Sequence, residues 1–227
     1  ITNVKKLLKL RKLFRFSKFP VVILPGVMRE KIIHIASELF LTYGFKSVTM
    51  DDIANKIGIS KKTIYQHFEN KTKLVEVTTL SLFELISEGI DCISALEKNP
   101  IEEIYDIKKF VMVHLKDEKS SPQYQLQKYY PKIYASLKTK QFEVMQSCVT
   151  DNLKRGIALG LYRDSLNVDF ISRIYFSSIV SIKDQDMFPL QKFSINMLME
   201  YYLEYHLRGI CTEKGLEKLN QLITMTS

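Results

Sequence analysis

Cysteine is scarce in this chain of 227 residues, and the three present are poorly placed for chemistry: Cys92, Cys148 and Cys211 are far apart and odd in number. No CxxC pair and no Cys/His spacing suits a zinc ion, so no metal or other cofactor is expected. Reduced, buried thiols in a reducing cytoplasm are the expected state. Eight glycines and six prolines leave little room for linkers or low-complexity segments, and no internal repeat is present. Long alternating strand patterns are also missing, which points to an all-α fold. The four histidines, His34, His67, His114 and His206, have no partner at metal or catalytic spacing. With no G-x-x-x-x-G-K-[ST], G-x-S-x-G or H-E-x-x-H present, no catalytic residue is expected and an enzyme is disfavoured.

Hydrophobic residues make up 46% of the chain, enough to bury one large core or two small ones. The net charge of +8 hints at nucleic acid, but it is unevenly spread. Residues 1–27 hold seven Lys/Arg (Lys5, Lys6, Lys9, Arg11, Lys12, Arg15, Lys18) and no acid. Residues 28–74 carry +3, and residues 75–227 carry −2. The apolar run from Phe19 to Val27 is broken by Pro20, Pro25 and Gly26 and is too short to span a bilayer. A clean helical pattern begins at Met28, so the expectation is that the functional part starts there and that 1–27 is a non-native or disordered basic tail. A groove-binding arm and a membrane-surface helix are the alternatives for that tail. A membrane-associated helical protein has no other support, and no membrane partner is expected.

From Met28 the residues Ile32, Ile33, Ala36, Leu39 and Phe40 recur at helical steps, and Gly44 suits a left-handed C-terminal turn. Thr49 opens a second helix with a capping-box pattern that uses Asp52, and Gly58 stops it. Ser60 caps a third helix, 61–67, and Asn70-Lys71 opens a fourth that runs past residue 90. Further helices are expected near 101–116, 123–137, 140–160, 167–184, 189–209 and 213–224.

Residues 49–74, TMDDIANKIGISKKTIYQHFENKTKL, hold two short helices joined by a Gly-containing turn. Ala54 is small enough for close approach, and Gly58 can take the positive φ of a sharp turn. Ile53, Ile57, Ile59, Ile64 and Phe68 are spaced to bury the inner faces. In such a helix-turn-helix the second helix enters the major groove. Its outer positions suit that task. Lys reaches phosphates and guanine edges, Gln pairs with adenine, and Thr meets a thymine methyl.

The pattern T-x-x-x-I-A-x-x-x-G-x-S-x-x-x-x-Y-x-x-F-x-x-K-x-x-L resembles the DNA-binding signature of the TetR (tetracycline repressor) family. Thr49, Ile53, Ala54, Gly58, Ser60, Tyr65, Phe68, Lys71 and Leu74 fill its slots. The resemblance covers residues 28–74. It implies DNA contacts by Thr49, Lys61, Lys62, Thr63, Tyr65, Gln66, His67 and Lys71. Thr49, Tyr65 and Lys71 are the phosphate candidates, and Lys61, Lys62, Thr63 and Gln66 the base-edge candidates. Residues 75–227 would then form a helical ligand-binding and dimerisation domain. The segment Asn152 to Asp164 also looks like the helix and turn found late in such regulators.

The resemblance further implies a cytoplasmic homodimer on a palindromic operator. The interface candidates are Phe170, Ile174, Tyr175 and Ile179 on one helix, and Met197, Tyr201 and Tyr205 on the next. The alternative is that these stripes pack inside one subunit. Phe110, His114, Tyr124, Tyr130, Tyr134, Phe142 and Met145 are candidates to line a pocket for a small apolar or amphipathic ligand. The expected function is a transcriptional repressor that a ligand releases. A constitutive DNA-binding dimer without a ligand is the alternative.

Overall fold

The computed structural model describes residues 25–115, 122–184, 186–189 and 191–226. Most of the basic tail, 1–24, lies outside them. Among the described residues there are ten helices and no strand: α1 (Pro25–Tyr43), α2 (Met50–Ile57), α3 (Lys61–His67), α4 (Lys71–Ser94), α5 (Pro100–Leu115), α6 (Pro122–Tyr129), α7 (Pro131–Ala158), α8 (Val168–Ser181), α9 (Ile195–Ile210) and α10 (Glu213–Thr226). A lone antiparallel bridge joins Tyr162 to Cys211.

Three boundaries differ from the sequence expectation. One break falls at Tyr130 rather than near 138, and α7 then runs unbroken for 28 residues. Proline explains this. Pro131 is disfavoured inside a helix but fits the first turn, and it drives the residue before it out of the helical region. Lys138-Thr139-Lys140 contains no such breaker. The helix expected from 189 begins at Ile195, where the Ser194 hydroxyl accepts the Met197 amide at 3.2 Å. The first helix begins at Pro25, three residues ahead of Met28.

The chain divides into two compact units. The first comprises the described residues through Cys92, with those of His114–Leu137. Its core joins Ile32, Ala36 and Phe40 of α1 to Ile53, Ala54, Ile64, Phe68 and Leu74, and includes Leu126 and Leu137. The Phe40 and Phe45 rings lie 5.0 Å apart, and Phe45 meets Tyr130 edge-on at 6.1 Å.

The second unit comprises Ile93–Val113 and Lys138–Ser227. Ile101, Leu153, Leu203, Leu207 and Leu219 are its most buried apolar residues. A polar group sits inside this core. The Asn152 amide donates to Glu103 Oε1 and to the Pro100 carbonyl, each at 2.9 Å, and the Tyr162 hydroxyl donates to Asn152 Oδ1 at 3.1 Å. Arg155 also donates to Glu103, so the buried carboxylate faces a cation. The Asn152 to Asp164 segment is thus a helix end and turn pinned to α5. Of the cysteines, Cys211 is buried as expected, whereas Cys92 and Cys148 are half-buried, and none forms a disulfide.

Candidate nucleic-acid interface

The α2–α3 hairpin is shaped by its own ends. At the start of α2 the Thr49 hydroxyl accepts the Asp52 amide at 3.1 Å, and Asp52 Oδ2 accepts the Thr49 amide at 2.8 Å. This reciprocal box satisfies two donors that a helix start leaves open. The Thr49 backbone and side-chain hydrogen bonds hold the Asp52 carboxyl below its ordinary pKa. At the other end Gly58 stands at φ 79° and ψ 39°. Its amide reaches the Ala54 and Asn55 carbonyls at 2.9 and 3.2 Å, and Ile59 closes on Ala54 at 3.0 Å. A residue with a Cβ would cost about 1–2 kcal/mol in that left-handed geometry. Ser60 then caps α3, accepting the Thr63 amide at 3.1 Å. Ile64 is fully buried, and Phe68 is 2% exposed beneath it.

Burying Ile64 and Phe68 fixes which side of α3 faces out. Lys61, Lys62, Tyr65 and Gln66 are exposed, while Thr63 and His67 are half-buried. Tyr65 is 45% exposed, a large ring left on the surface. Two candidates are already engaged. Lys61 Nζ lies 2.7 Å from Asp51 Oδ2, a bond that raises the lysine pKa. The Thr63 hydroxyl shares a hydrogen with Ser60 at 2.8 Å, so it serves the cap. Lys62, Tyr65 and Gln66 are the outward side chains that no described neighbour holds by a hydrogen bond.

Thr49 and Lys71 stand at the ends of this surface. Asn70 Oδ1 accepts the Lys73 amide at 2.8 Å and so caps α4. Lys71, half-buried, points its ammonium at the Lys46 carbonyl, 3.4 Å away. Burial lowers its pKa, and the charge of Asp52 opposes that shift. Three supporting residues escaped the sequence reading. Asp51 holds Lys61. Arg29 lies over the Phe68 ring at 5.3 Å. Gln125 accepts the Lys46 amide at 3.2 Å across 79 positions of sequence. Spacing marks the i,i+3 caps, but it carries no signal for a partner that distant.

The pocket candidates fall in both units. In the first, Tyr130 and Tyr134 pack on the core's edge, His114 is half-buried and Tyr124 is 40% exposed. In the second, Phe110 is buried, Phe142 meets Phe176 edge-on at 5.2 Å, and Met145 lies against the core. The α8 and α9 candidates divide differently. Phe170, Ile174, Tyr201 and Tyr205 are 58%, 43%, 64% and 79% exposed. Tyr175 instead turns inward, 5.7 Å from the Tyr202 ring and 5.0 Å from His206, and Ile179 packs on the same core. Helix periodicity puts Ile174 and Tyr175 on neighbouring but distinct faces, one of which the unit's own core takes.

Residues 32–78 match the family model described as bacterial regulatory proteins, tetR family. Over these residues the chain is similar to the TetR family. Over 199 residues it is 25% identical to the transcriptional repressor KstR2 of Mycolicibacterium smegmatis, covering 84% of this chain and 94% of that protein. A 79-residue match is 35% identical to a probable acrEF/envCD operon repressor of Escherichia coli, covering 34% and 35% of the two chains. A TetR-family regulator from Agrobacterium tumefaciens shares the fold at a TM-score of 0.68 and 17% identity, over 83% of this chain and all of that one. The TetR match spans the capped hairpin and stops within α4. These matches support a DNA-binding transcription regulator. No helix among the described residues is long and apolar enough to cross a membrane.

Proposed function

We propose that the protein is a cytoplasmic repressor that binds a palindromic operator as a homodimer and is released by a small apolar or amphipathic ligand. The observation that carries this reading is the rigid α2–α3 hairpin, which presents Lys62, Tyr65 and Gln66 outward between the two end positions, Thr49 and Lys71. Lys62 and Gln66 suit base edges, with Lys61 and Thr63 beside them once freed from their present partners. Thr49, Tyr65, His67 and Lys71 suit the phosphates that fix the register.

Dimerisation is supported by the exposed strip on α8 and α9. Four large apolar or aromatic side chains, Phe170, Ile174, Tyr201 and Tyr205, lie open on neighbouring helices. A second copy offers the same strip, which is what a two-fold interface requires. Two reading helices would then sit about 34 Å apart, one turn of DNA.

For the ligand, Phe142 and Met145 supply an aromatic ring and a thioether, and Phe110 is a further buried aromatic of the same unit. Gln146, four residues after Phe142, has a buried Oε1 with no hydrogen-bond partner among the described residues. It offers an acceptor to a hydroxyl or amine on an otherwise apolar molecule. His114, Tyr124, Tyr130 and Tyr134 are the corresponding candidates in the first unit. A protein with the same fold, from Saccharomonospora viridis, was solved in complex with choline, which supports a small organic molecule as the ligand.

Footprinting of the purified protein on its own upstream DNA tests the reading. A protected palindrome is expected, and uniform cleavage across that DNA would overturn it. Metabolite pools that leave both the melting temperature and the DNA affinity unmoved would point to a constitutive dimer instead.

A further inference from the structure

Two segments of the first unit contain no acidic residue: the run 39–50, from the end of α1 to the start of α2, and the run 122–137, which takes in α6 and the start of α7. They meet. Gln125 accepts the Lys46 amide at 3.2 Å, and Gly44, at φ 86°, leaves no room for a Cβ, which would fall 2.2 Å from the Gln125 amide. On the outside of this junction cations lie over tyrosine rings. Lys46 Nζ is 5.2 Å from the centre of Tyr129, and Lys128 Nζ lies 5.7 Å from Tyr129 and 5.5 Å from Tyr124. Lys46, Lys128, Tyr124 and Tyr129 are all exposed.

The patch is continuous with the reading surface. Thr49 binds Asp52, the Asp52 charge acts on Lys71, Lys71 Nζ reaches the Lys46 carbonyl, and the Lys46 side chain covers Tyr129. The positive field of the helix-turn-helix therefore extends past Thr49 onto α6, although residues 75–227 as a whole carry more acid than base. The tyrosine faces steady the ammonium groups, Lys128 Nζ also lies 3.4 Å from the Tyr124 hydroxyl, and a tyrosine hydroxyl can itself donate to a phosphate oxygen.

From this juxtaposition we infer that Lys46 and Lys128, steadied by Tyr129 and Tyr124, form a second phosphate-binding tier that grips the DNA backbone flanking the bases read by α3. The inference rests on the protein's DNA-binding role and adds α6 to the surface that performs it. A tier of this kind adds affinity and salt dependence without sequence preference.

The test is a salt titration of binding to a mixed-sequence duplex of about 30 base pairs, since phosphate contacts do not depend on sequence. The Lys46→Gln, Lys128→Gln double variant replaces exposed side chains and keeps the backbone bond to Gln125. Its logarithmic salt slope is expected to be shallower by about two, with about a tenfold or greater loss of affinity at low salt. Lys154→Gln, an exposed lysine of the second unit, is the control and is expected to leave both unchanged. A wild-type slope in the double variant overturns the second tier alone, as does an equal change in the control, which would mark a net-charge effect. Failure of the wild type to bind any duplex overturns the DNA-binding reading beneath it. A thermal melt matching the wild type confirms that the double variant is folded.

Discussion

The two units reach their form by opposite routes. In the reading head, the residues that decide the shape sit three or four positions apart. Thr49 with Asp52, Ser60 with Thr63, and Gly58 with Ala54 each close a local loop. In the second unit the deciding contacts span long stretches of sequence. Glu103 meets Asn152 and Arg155, and Tyr162 is bridged to Cys211. Short-range closure shapes the α2–α3 hairpin itself, although the core beneath it also draws Leu126 and Leu137 from distant sequence. Long-range closure leaves the body free to diverge, so long as its core is filled.

The largest expected effects come from deleting core volume on each side. Ile64→Ala and Leu203→Ala each remove a fully buried side chain and should cost about 2–5 kcal/mol in denaturant unfolding. The comparison holds if Ile64→Ala loses DNA binding at temperatures where the helical signal of the body persists, whereas Leu203→Ala loses both together. Simultaneous loss in both variants would mean the units are not separable.

Acid should act on the body next. Burial against Tyr175 and Tyr202 holds the His206 pKa down at about 4, against 6.5 ordinarily. The unfolded chain therefore takes up the proton first. Its contribution to stability is complete above pH 6.5 and is lost as the pH falls from 6.5 towards 4, by at most about 3 kcal/mol. His206→Leu should flatten the unfolding profile across that window, and an unchanged slope there would place the acid sensitivity elsewhere.

A cap comes third. Ser60→Ala should cost the head about 1 kcal/mol and lower DNA affinity, with Ser60→Asn restoring both. The smallest effect on stability belongs to Asp51→Asn. It breaks an exposed pair, so the melting temperature should stay within error while the preference among operator variants changes. A shift in melting with unchanged preference would make Asp51 a structural residue.

The same contrast sets what the sequence can reveal. Gly58, Ser60, Thr49 and Asp52 are legible because the caps and turn they form use fixed short offsets. The outward side of α3 follows once Ile64 and Phe68 are assigned inward. The break at Tyr130 was within reach through Pro131, but the aromatic density of the region draws attention to burial instead. Gln125 under Gly44 and the Glu103–Asn152 pair leave no local trace. Nor does the inward turn of Tyr175 beside the exposed Ile174, since an apolar stripe does not record which neighbour covers it.

The bond between Lys61 and Asp51 changes how selectivity is reckoned. Any acceptor on a duplex that takes Lys61 must first displace a carboxylate already at 2.7 Å. Recognition at that position is an exchange rather than a simple gain, and only the difference between the two pairings counts. A weak acceptor leaves the lysine where it is. A guanine edge, offering two acceptors side by side, is the kind of competitor able to win it away. The free protein thus carries its own reference partner, against which each base pair is compared.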